Sequence, residues 1–483
     1  MNARDRVVRL YTRHFGTEPS GVSEVAGDGS TRRYFRLPHP EGGTLIGGFG
    51  PDRRENRAFF SFSAALRGAG LPVPDILADN RRQRAWLEED LGDRTLFDVL
   101  SEGRREEPEC FPGDVLALYR RVASLLPRFQ VEGARAVDFR AAYPRRAFDR
   151  QSMLWDLNYF KYHFLKLAHV PFDEARLERD FGKLVRFLLE AEREYFMYRD
   201  FQSRNIMIRD GEPWFIDYQG GRRGALQYDL ASLLYDAKAD LPPVVRSEIL
   251  EGYLETLEET IPVDRPRFLR HYRGFVLIRI MQAMGAYGYR GFFERKPRFL
   301  QSVPYAAGNI AGLLEEGLPI ALPELESVFS HIVDRWARPV TGAEGTSALT
   351  VHVTSFSFRH GYPQDLTGHG GGYVFDCRGV TNPGRRSEFA ELTGLDEPVA
   401  HFLAAQPEAE GFLEPVRGLV DGHVGSYRKR GFSSLSVGFG CTGGQHRSVY
   451  FAESLARHLR EAHPEIEVVV THRERGAWPG GAP

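Results

Sequence analysis

The stretch "YRDFQSRNIMIRDGEPWFIDYQGG" (198–221) constrains the fold of this chain more than any other segment. Two apolar runs, IMI and WFI, flank an Asp-Gly pair, which is a strong signal for a tight β-hairpin. Folding this hairpin about Gly211 predicts that Asn205 lies opposite Asp217. Asp200 precedes the first strand, on the loop that enters it. Two carboxylates and one amide are therefore expected in one small volume.

Phosphoryl transfer requires such a trio of side chains. One carboxylate orients or deprotonates the acceptor hydroxyl, while an amide oxygen and a second carboxylate hold Mg²⁺ on the nucleotide. The D-x4-N spacing, followed by an apolar hairpin that ends in Asp, is typical of the catalytic loop of the protein-kinase-like fold. The alternative is a surface loop whose Asp and Asn cap turns. Asp229, in "QYDLASLLYD", is predicted to be structural, as the N-cap of a helix.

The bulk composition excludes several classes of protein. A chain of 483 residues predicts two to three domains, and a net charge of −2 means that nucleic-acid binding would need a local basic patch. Three cysteines are too few for a disulfide framework or a zinc site. No stretch approaches the roughly 18 apolar residues of a membrane span, and the N-terminus lacks the apolar core of a signal peptide. We therefore expect no membrane partner and a cytoplasmic location.

The pattern of strands and helices changes along the chain. Residues 1–92 alternate short strands with helix, and residues 93–335 are mainly helical, which predicts an α+β protein-kinase-like bilobal domain. Residues 336–348 are small, polar and aperiodic, so we predict a linker there. From 349 to 483 strands and helices alternate again, which predicts a smaller α/β domain.

The motifs of the first domain resemble a known group of small-molecule kinases. "YRDFQSRN" and "FIDYQGG…YDLASLLYD" resemble the aminoglycoside phosphotransferase and choline kinase group. "GDGSTRRYFRL" (27–37) and "LEEDLGDRTL" (87–96) resemble more narrowly the cell-wall sugar kinases of the AmgK type, which phosphorylate N-acetylmuramate and N-acetylglucosamine at the anomeric hydroxyl. The resemblance implies ATP and Mg²⁺ as cofactors, Asp200 as the catalytic base, and Asn205 and Asp217 as the metal ligands.

The same resemblance implies a turn that covers the nucleotide phosphates and a hinge that lines the adenine. The nucleotide-binding residues that it implies are Gly27, Asp28, Gly29, Ser30, Arg32 and Arg33 in the turn and Glu89, Asp90 and Leu91 in the hinge.

The third strand, "GGTLIGGFG", departs from the kinase pattern because it carries no lysine for the α- and β-phosphates, and no lysine precedes Lys161. We expect Arg32, Arg33 or Arg36 to supply this charge, since a guanidinium matches phosphate oxygens well. The alternative is that these arginines are merely solvated on a strand. Glu55, on the following helix, is then expected to lack its usual lysine partner.

The segment that would contact the acceptor is less specific. "RRAFDRQSMLWDLNYFKYHFLKLAHV" carries Trp155, Tyr159, Tyr162 and His163 at helical spacing. Such aromatic side chains can stack on a sugar ring, but a stripe at this spacing is also typical of a helix that faces a core. The identity of the acceptor is therefore left open between sugars and other small hydroxylated metabolites.

A second constellation lies in "GFGCTGGQHRSV" (438–449), which contains a C-x5-R spacing. A strand, a Gly-rich loop and a helix N-terminus together form an anion site, because backbone N–H groups and the helix dipole point into the loop. Gly443 and Gly444 let the backbone curl, and Arg447 can bind a phosphate bidentately. The alternative is a tight turn with an incidental arginine.

The C-x5-R spacing also occurs in phosphatases, where the thiolate attacks phosphorus. Cys441 would be stabilised as a thiolate by such a loop, but a general acid must also protonate the leaving oxygen. Asp376 and Asp421 are available, although neither lies in a recognisable acid loop. The residues alone thus leave both a phosphate-binding module and a phosphatase open.

The ordered motifs "GYVFDCRG…NPG…LTGLDEPVAHFL…GFGCTGGQHRSVYFAESLA" resemble the C-terminal domain of the RNase adapter protein RapZ. That resemblance implies a domain that senses glucosamine 6-phosphate and engages small RNAs. The phosphate-binding residues assigned on this basis and from the loop are Cys441, Thr442, Gly443, Gly444, Gln445, His446, Arg447 and Ser448, with Arg378 and Asn382 as nearby contacts. The basic segments "SYRKRG" and "GRRSE" are the candidates for an RNA-binding patch.

Together these patterns predict an ATP- and Mg²⁺-dependent kinase of an amino sugar, fused to a domain that senses a sugar phosphate. Two rivals remain. One is an RNA-binding adapter with a degenerate kinase lobe, which the missing lysine favours. The other is a bifunctional kinase–phosphatase that uses Cys441.

Overall fold

The computed structural model describes residues 2–25, 31–106, 111–337, 349–363, 372–430, 432 and 434–478. It forms two compact units, Met1–Glu294 with Ser302–Pro339 and Arg295–Gln301 with Val340–Pro483. Most of the expected linker, 336–348, lies outside the described residues. The proposed bounds of the domains and of the two lobes stay predictions.

The first lobe of unit 1 is an antiparallel sheet with a helix on each side. Within the described residues its strands run in the order β1-β2-β3-β5-β4. One face packs Phe35, Leu37 and Leu45 against Val7 of the first helix, so that this face is a small apolar core. The elements are α1 Ala3–Phe15, β1 Ser23–Val25, β2 Arg33–Pro38, β3 Thr44–Phe49, α2 Arg53–Gly68, β4 Ile76–Asn80 and β5 Ala85–Glu89.

The third strand, β3, and the helix that carries Glu55, α2, lie where the sequence predicts them, whereas α1 was not predicted. Its signal is a capping box: the Asn2 side chain accepts the Asp5 backbone N–H and the Asp5 carboxylate accepts that of Asn2. Helix α2 begins similarly, because the Asp52 carboxylate accepts the backbone N–H groups of Arg54 and Glu55. This cap fixes the start of α2 and with it the position of Glu55.

The second lobe is mainly helical, with two short strand pairs that carry the predicted catalytic trio. Strand pairs β6–β9 and β7–β8 are both antiparallel. The elements are α3 Leu96–Glu106, α4 Gly113–Ala136, α5 Arg150–Phe160, α6 Glu174–Leu188, β6 Tyr195–Met197, β7 Ile206–Arg209, β8 Glu212–Phe215, β9 Arg222–Gly224, α7 Leu226–Leu234, α8 Pro243–Glu258, α9 Arg265–Gly288, α10 Val303–Glu315 and α11 Pro323–Trp336. This α+β order is that of the protein-kinase-like fold.

Unit 2 contains the smaller α/β domain. Its described strands form a parallel sheet in the order β11-β12-β10-β13, with helices packed on it over an apolar core. The elements are β10 Thr350–Ser357, β11 Gly372–Asp376, α12 Glu397–Ala404, α13 Pro407–Lys429, β12 Ser434–Cys441, α14 Arg447–Ala462 and β13 Glu467–His472. Because the strands are parallel, Ser357, Asp376 and Cys441 meet at one sheet edge, where open α/β sheets bind ligands.

Candidate functional site: a phosphoryl-transfer cleft and an anion loop

The loop that carries Asp200 is held in place by the buried carboxylate of Asp229. The Asp229 side chain accepts the backbone N–H groups of Tyr198 at 2.7 Å and Arg199 at 2.9 Å. Asp229 lies inside α7, whose N-cap is Ala225, so the predicted N-cap role is wrong although the structural role holds. Burial raises the pKa of Asp229 to about 7. Its carboxylate fixes the backbone immediately before Asp200.

Arg199 fixes the same loop through its side chain. Its guanidinium donates to both Asp156 carboxylate oxygens at 2.7 Å and to the Tyr228 hydroxyl at 2.7 Å. Its backbone has a φ of 87°, a left-handed conformation that non-glycine residues adopt only when their surroundings hold them there. Asp156, an acidic residue in the apolar helix α5, was not predicted. An acid within such an apolar run was the available signal.

The hairpin forms as the Asp-Gly pair predicts, but its register is one residue shorter than expected. Asp210 and Gly211 both have positive φ, as a two-residue turn requires, so the turn centres between them. As a result Ile216, not Asp217, lies opposite Asn205 and donates its N–H to the Asn205 carbonyl at 3.0 Å. Asp217 follows directly.

The trio nevertheless converges. Asp217 has a φ of 70°, and its Oδ2 lies 3.4 Å from Asn205 Nδ2. The same amide nitrogen donates to the Asp200 carbonyl at 2.8 Å, which leaves the amide oxygen of Asn205 for a cation. Gln219 holds the other Asp217 oxygen at 2.5 Å. Two carboxylates and an amide oxygen thus lie together, which is the oxygen donor set that Mg²⁺ prefers.

The electrostatics of Asp217 fit a cation site. The Asp217 side chain is exposed to solvent at its surface. The many protein atoms around the site nevertheless displace part of the water that would hydrate its charge. The resulting loss of hydration, and secondly the negative charge of Asp200, raise the pKa of Asp217 to about 6. A divalent cation would relieve this repulsion.

The surroundings of β3 bear on the missing lysine, because Trp86 occupies the space beside Gly48. A Cβ atom on Gly48 of β3 would lie 2.1 Å from the Trp86 ring, so no lysine can replace it while that ring is there. Arg32 lies over the same indole, 5.5 Å from its centroid, and its Nε lies 3.2 Å from Glu55 Oε1. Glu55 therefore lacks the usual lysine, as expected, but has Arg32 as its cationic partner. Arg32 is 4% exposed and also feels the charge of Asp217.

The other two candidate arginines have structural partners. Arg33 forms an exposed pair with Glu24, and Arg36 is bonded to Asp90 at 2.6 Å and Asp93 at 2.8 Å. The structure thus singles out Arg32 among the three.

The implied hinge residues are held mainly by their side chains. Asp90 accepts hydrogen bonds from Arg36, Thr44 and the Gly92 N–H. Glu89 pairs with Arg209, and Leu91 is buried. Adenine contacts at this hinge would therefore use its backbone. Gly27, Asp28, Gly29 and Ser30 lie outside the described residues, and their predicted contacts stay predictions.

The aromatic stripe on α5 is not simply core. Trp155 is 46% exposed and Tyr162 is 49% exposed, whereas Tyr159 packs with His163 and Tyr289. Trp155 adjoins Asp156, which holds Arg199. The stripe is thus divided between solvent-exposed rings and rings that pack against protein.

In unit 2 the predicted anion loop joins β12 to α14. Gly444 has a φ of 70°, and a Cβ there would lie 2.3 Å from Glu474 Cγ, so the curl requires glycine. Ser357 Oγ donates to the Thr442 carbonyl at 2.7 Å and Trp478 Nε1 to the Gly444 carbonyl at 3.2 Å. These bonds to the carbonyls fix the loop at the N-terminus of α14.

Arg447 is placed differently from expectation. It is 5% exposed, and its Nη1 donates to the carbonyls of Arg378 at 3.0 Å and Val380 at 2.8 Å. Its Nε is buried and has no hydrogen-bond partner among the described residues. One edge of the guanidinium is therefore structural, and only the Nε edge is left for the predicted bidentate contact with phosphate.

The other predicted phosphate contacts also have protein partners. His446 Nε2 lies 2.9 Å from the Phe389 carbonyl, and Gln445 Nε2 donates to the Leu392 carbonyl at 2.7 Å. Arg378 pairs with Asp376, and Asn382 accepts the Gly384 N–H. A ligand at this loop would rely on backbone N–H groups and Arg447 more than on these side chains.

Of the requirements for phosphatase chemistry, the general acid is the one that is poorly met. The Cys441 sulfur is buried, accepts the Gly444 N–H at 3.1 Å and lies 3.2 Å from Ser448 Oγ. Hydrogen bonds from Arg378 hold the pKa of Asp376 below its usual range, which favours a charged carboxylate that cannot act as an acid. Asp421 is bonded to His458 at 2.9 Å and His463 at 3.0 Å on the helical side.

The kinase-like fold and this trio define a protein of the phosphoryl-transfer class. The chain belongs to the phosphotransferase enzyme family, whose family model matches residues 21–266, just over half of its 483 residues. A second family model, the RapZ C-terminal domain, matches residues 349–476. The expected pairing of a phosphotransferase domain with a RapZ-like domain is confirmed.

Curated relatives match the C-terminal region. A "Nucleotide-binding protein" of Janthinobacterium sp. (strain Marseille) is 45% identical over 155 residues, which cover 30% of this chain and 51% of the relative. One of the same description from Leptothrix cholodnii is 43% identical over 139 residues, 29% of this chain and 41% of the relative. The chain spans about half the length of the curated relatives it matches.

Solved structures of kinases resemble part of the chain. A choline/ethanolamine kinase family protein from Mesorhizobium loti has a TM-score of 0.43 at 15% identity, covering 69% of this chain and 98% of that one. Choline kinase from Cryptosporidium parvum has a TM-score of 0.42 at 12% identity, covering 64% of this chain and 93% of that one.

Among the described residues, no helix is long and apolar enough to cross a membrane.

Proposed function

We propose that this chain is an ATP-dependent kinase of an amino sugar of the N-acetylmuramate or N-acetylglucosamine type, acting in the cytoplasm, with a C-terminal domain that senses a sugar phosphate. The observation that carries the kinase half is the convergence of Asp200, Asn205 and Asp217, backed by the Arg32–Glu55 pair. Arg32 of that pair supplies the positive charge that the missing lysine would otherwise provide. The missing lysine was the reason to consider a degenerate kinase lobe.

Each group has a role in the proposed reaction. Asp200 accepts the proton of the acceptor hydroxyl, whose oxygen attacks the γ-phosphorus of ATP in line with the leaving ADP oxygen. Arg32, held by Glu55 and packed on Trp86, neutralises phosphate oxygens of the nucleotide. Asn205 and Asp217 would hold Mg²⁺, which supplies charge stabilisation on the phosphates when bound.

A screen of acceptors tests the proposal. ADP formation from ATP and Mg²⁺ is measured with N-acetylglucosamine, N-acetylmuramate, other hexoses and aminoglycosides. We expect the amino sugars to give the highest kcat/KM. Turnover only with aminoglycosides would contradict the amino-sugar assignment while leaving the kinase assignment intact. Absence of turnover with every acceptor would favour the adapter rival.

Arg32→Ala should raise the KM for ATP about tenfold or more, because charge-assisted hydrogen bonds contribute about 1.5–3 kcal/mol. The measurement is steady-state kinetics at saturating acceptor. Arg33→Ala is the matched control, since Arg33 forms an exposed pair with Glu24 and should keep the wild-type KM. Equal KM values for ATP in the wild type and Arg32→Ala would remove Arg32 from the phosphate site.

The C-terminal half of the proposal rests on the anion loop and the buried, unpartnered Nε of Arg447. By resemblance its ligand is a glucosamine 6-phosphate-like sugar phosphate, so the domain could report a downstream product to the kinase. A small-RNA partner stays a prediction. In the candidate basic segment, Arg428 already pairs with Glu465 at 2.5 Å.

Cys441→Ser should preserve binding of glucosamine 6-phosphate, because a hydroxyl oxygen can still accept the Gly444 N–H. Calorimetry of the full-length chain without ATP should give dissociation constants within about threefold of each other, a difference under 1 kcal/mol. Phosphate release from the ligand should stay at background in both proteins. Release by the wild type that disappears in Cys441→Ser would establish the phosphatase rival.

A further inference from the structure

A second buried arginine lies beside the catalytic loop and was not predicted. Arg222 is the first residue of β9 and pairs with Met197 of β6, three residues before Asp200. It is 7% exposed, and its Nε donates to the Gly220 carbonyl at 3.0 Å. A guanidinium is thus buried at the side of the active-site loop.

The rest of this guanidinium is not bonded to protein. Among the described residues, neither Nη atom of Arg222 has a hydrogen-bond acceptor, and neither is sealed from solvent. The neighbouring Arg199 contrasts with it, because both oxygens of Asp156 and the Tyr228 hydroxyl are committed to Arg199. Arg222 therefore presents two N–H-bearing atoms without a dedicated carboxylate.

Arg222 and Asp200 both lie beside Gly220, which places them near one another. The residue that binds its Nε, Gly220, packs against Asp200: a Cβ on Gly220 would lie 3.5 Å from Asp200 Oδ2. The charge of Asp200 is felt at Arg222, while burial and then the charge of Arg199 lower the pKa of Arg222 to about 10. Arg222 still carries its charge at neutral pH.

We infer that Arg222 recognises an anionic substituent, a carboxylate or a phosphate, on the acceptor whose hydroxyl reaches Asp200. This rests on the proposed function in that Asp200 is taken as the base. A guanidinium edge matches a carboxylate or phosphate with two parallel hydrogen bonds, and such bonds strengthen as water is excluded.

The charges of the site give the physical reason for an anion. An anionic acceptor must approach Asp200, Asp217 and the phosphates of ATP, all of which repel it. Arg199 cannot offset this repulsion because Asp156 neutralises it. Arg222 is the neighbouring buried cation that lacks such a partner within 4.0 Å among the described residues. It makes an anionic acceptor tolerable at this position and selects against cationic ones.

The experiment compares matched acceptors that differ in one charged group. ADP formation by the full-length chain is measured with N-acetylmuramate and with N-acetylglucosamine 6-phosphate, each against neutral N-acetylglucosamine. The first pair reports a carboxylate and the second a phosphate. The wild type should show a higher kcat/KM for at least one anionic member.

Arg222→Gln should lower kcat/KM for the preferred anionic acceptor about 10- to 100-fold, mainly through KM, and change the neutral one less than about threefold. Arg222→Lys keeps the positive charge but loses the pair of parallel N–H donors, so its kcat/KM for the anionic acceptor should lie between those of the wild type and Arg222→Gln. Arg223→Gln is the matched control, since Arg223 is exposed, stacks over Phe139 and lies 3.4 Å from Glu194. It should keep the wild-type ratio.

An unchanged ratio in Arg222→Gln, or an equal loss on anionic and neutral acceptors, overturns the inference. If the variants fail to fold, the wild type decides: a best acceptor that is neutral or cationic overturns it. If no amino sugar is phosphorylated, the proposed function fails and the pairs glucuronate–glucose and glycerate–glycerol decide the inference instead. If none of the acceptors in any of these pairs supports ADP formation, both the proposed function and this inference are overturned.

Discussion

We expect Asp200→Asn to lower kcat about 10²- to 10⁴-fold, the range in which general-base catalysis contributes. Asparagine keeps the size of the side chain but cannot take the proton of the acceptor hydroxyl. The loop itself should not move, because Asp229 and Arg199 hold its backbone independently of the Asp200 carboxylate. The KM for ATP and the thermal unfolding midpoint should therefore stay close to those of the wild type.

Asp210→Asn is the control for this substitution. Asp210 lies in the turn of the same hairpin with a φ of 54°, a conformation that asparagine tolerates well, and its side chain is exposed. It makes the same chemical change at least five residues along the chain from every member of the trio and should retain full turnover, on the order of the wild-type kcat. Near-wild-type turnover by Asp200→Asn, measured as ADP formation, would refute the kinase assignment.

The sequence allowed the trio to be predicted because its cause is local. An Asp-Gly turn between two apolar runs specifies a hairpin, and the hairpin brings Asn205 and Asp217 together whatever the rest of the chain does. The register was wrong by one residue, since the pattern does not show whether the turn centres on Gly211 or before it. The left-handed backbone of Asp217 compensates for this shift.

The residues that could not be predicted act through distant partners. Arg32 lies 3.2 Å from Glu55, and Trp86, 38 residues after Gly48 in the sequence, covers that glycine so that a side chain there would collide with the ring. Reading the third strand alone shows only the absence of lysine. Asp229 was assigned to a helix cap because its partners, the backbone N–H groups of Tyr198 and Arg199, are invisible to a pattern of side chains.

The C-terminal domain shows the same division. Strands alternate with helices in this domain as expected, because each strand is an apolar run bounded by turn residues. Their spatial order, β11-β12-β10-β13, is set by crossovers that periodicity does not encode. That order places the segment after β11 beside the start of α14, where Arg447 donates to the carbonyls of Arg378 and Val380.

Arg447→Ala should lower the free energy of unfolding of the C-terminal unit by about 2–4 kcal/mol, because buried acceptors left without a donor cost about 1–3 kcal/mol each. The two carbonyls in question belong to Arg378 and Val380. The same variant should also lose binding of glucosamine 6-phosphate, because the substitution removes the Nε group of Arg447. Loss of binding alone thus cannot separate a ligand contact from a loop that has come apart.

Hydrogen exchange of the full-length chain separates the two effects. Peptides from β12 and α14 should exchange faster in Arg447→Ala, since local opening there becomes easier, while peptides from the N-terminal unit keep their wild-type rates. Arg378→Ala is the control: it removes an exposed guanidinium paired with Asp376 but leaves the Arg378 carbonyl, so stability should change by no more than about 0.5 kcal/mol. Wild-type exchange in Arg447→Ala together with lost binding would make Arg447 a pure ligand contact and contradict its structural role.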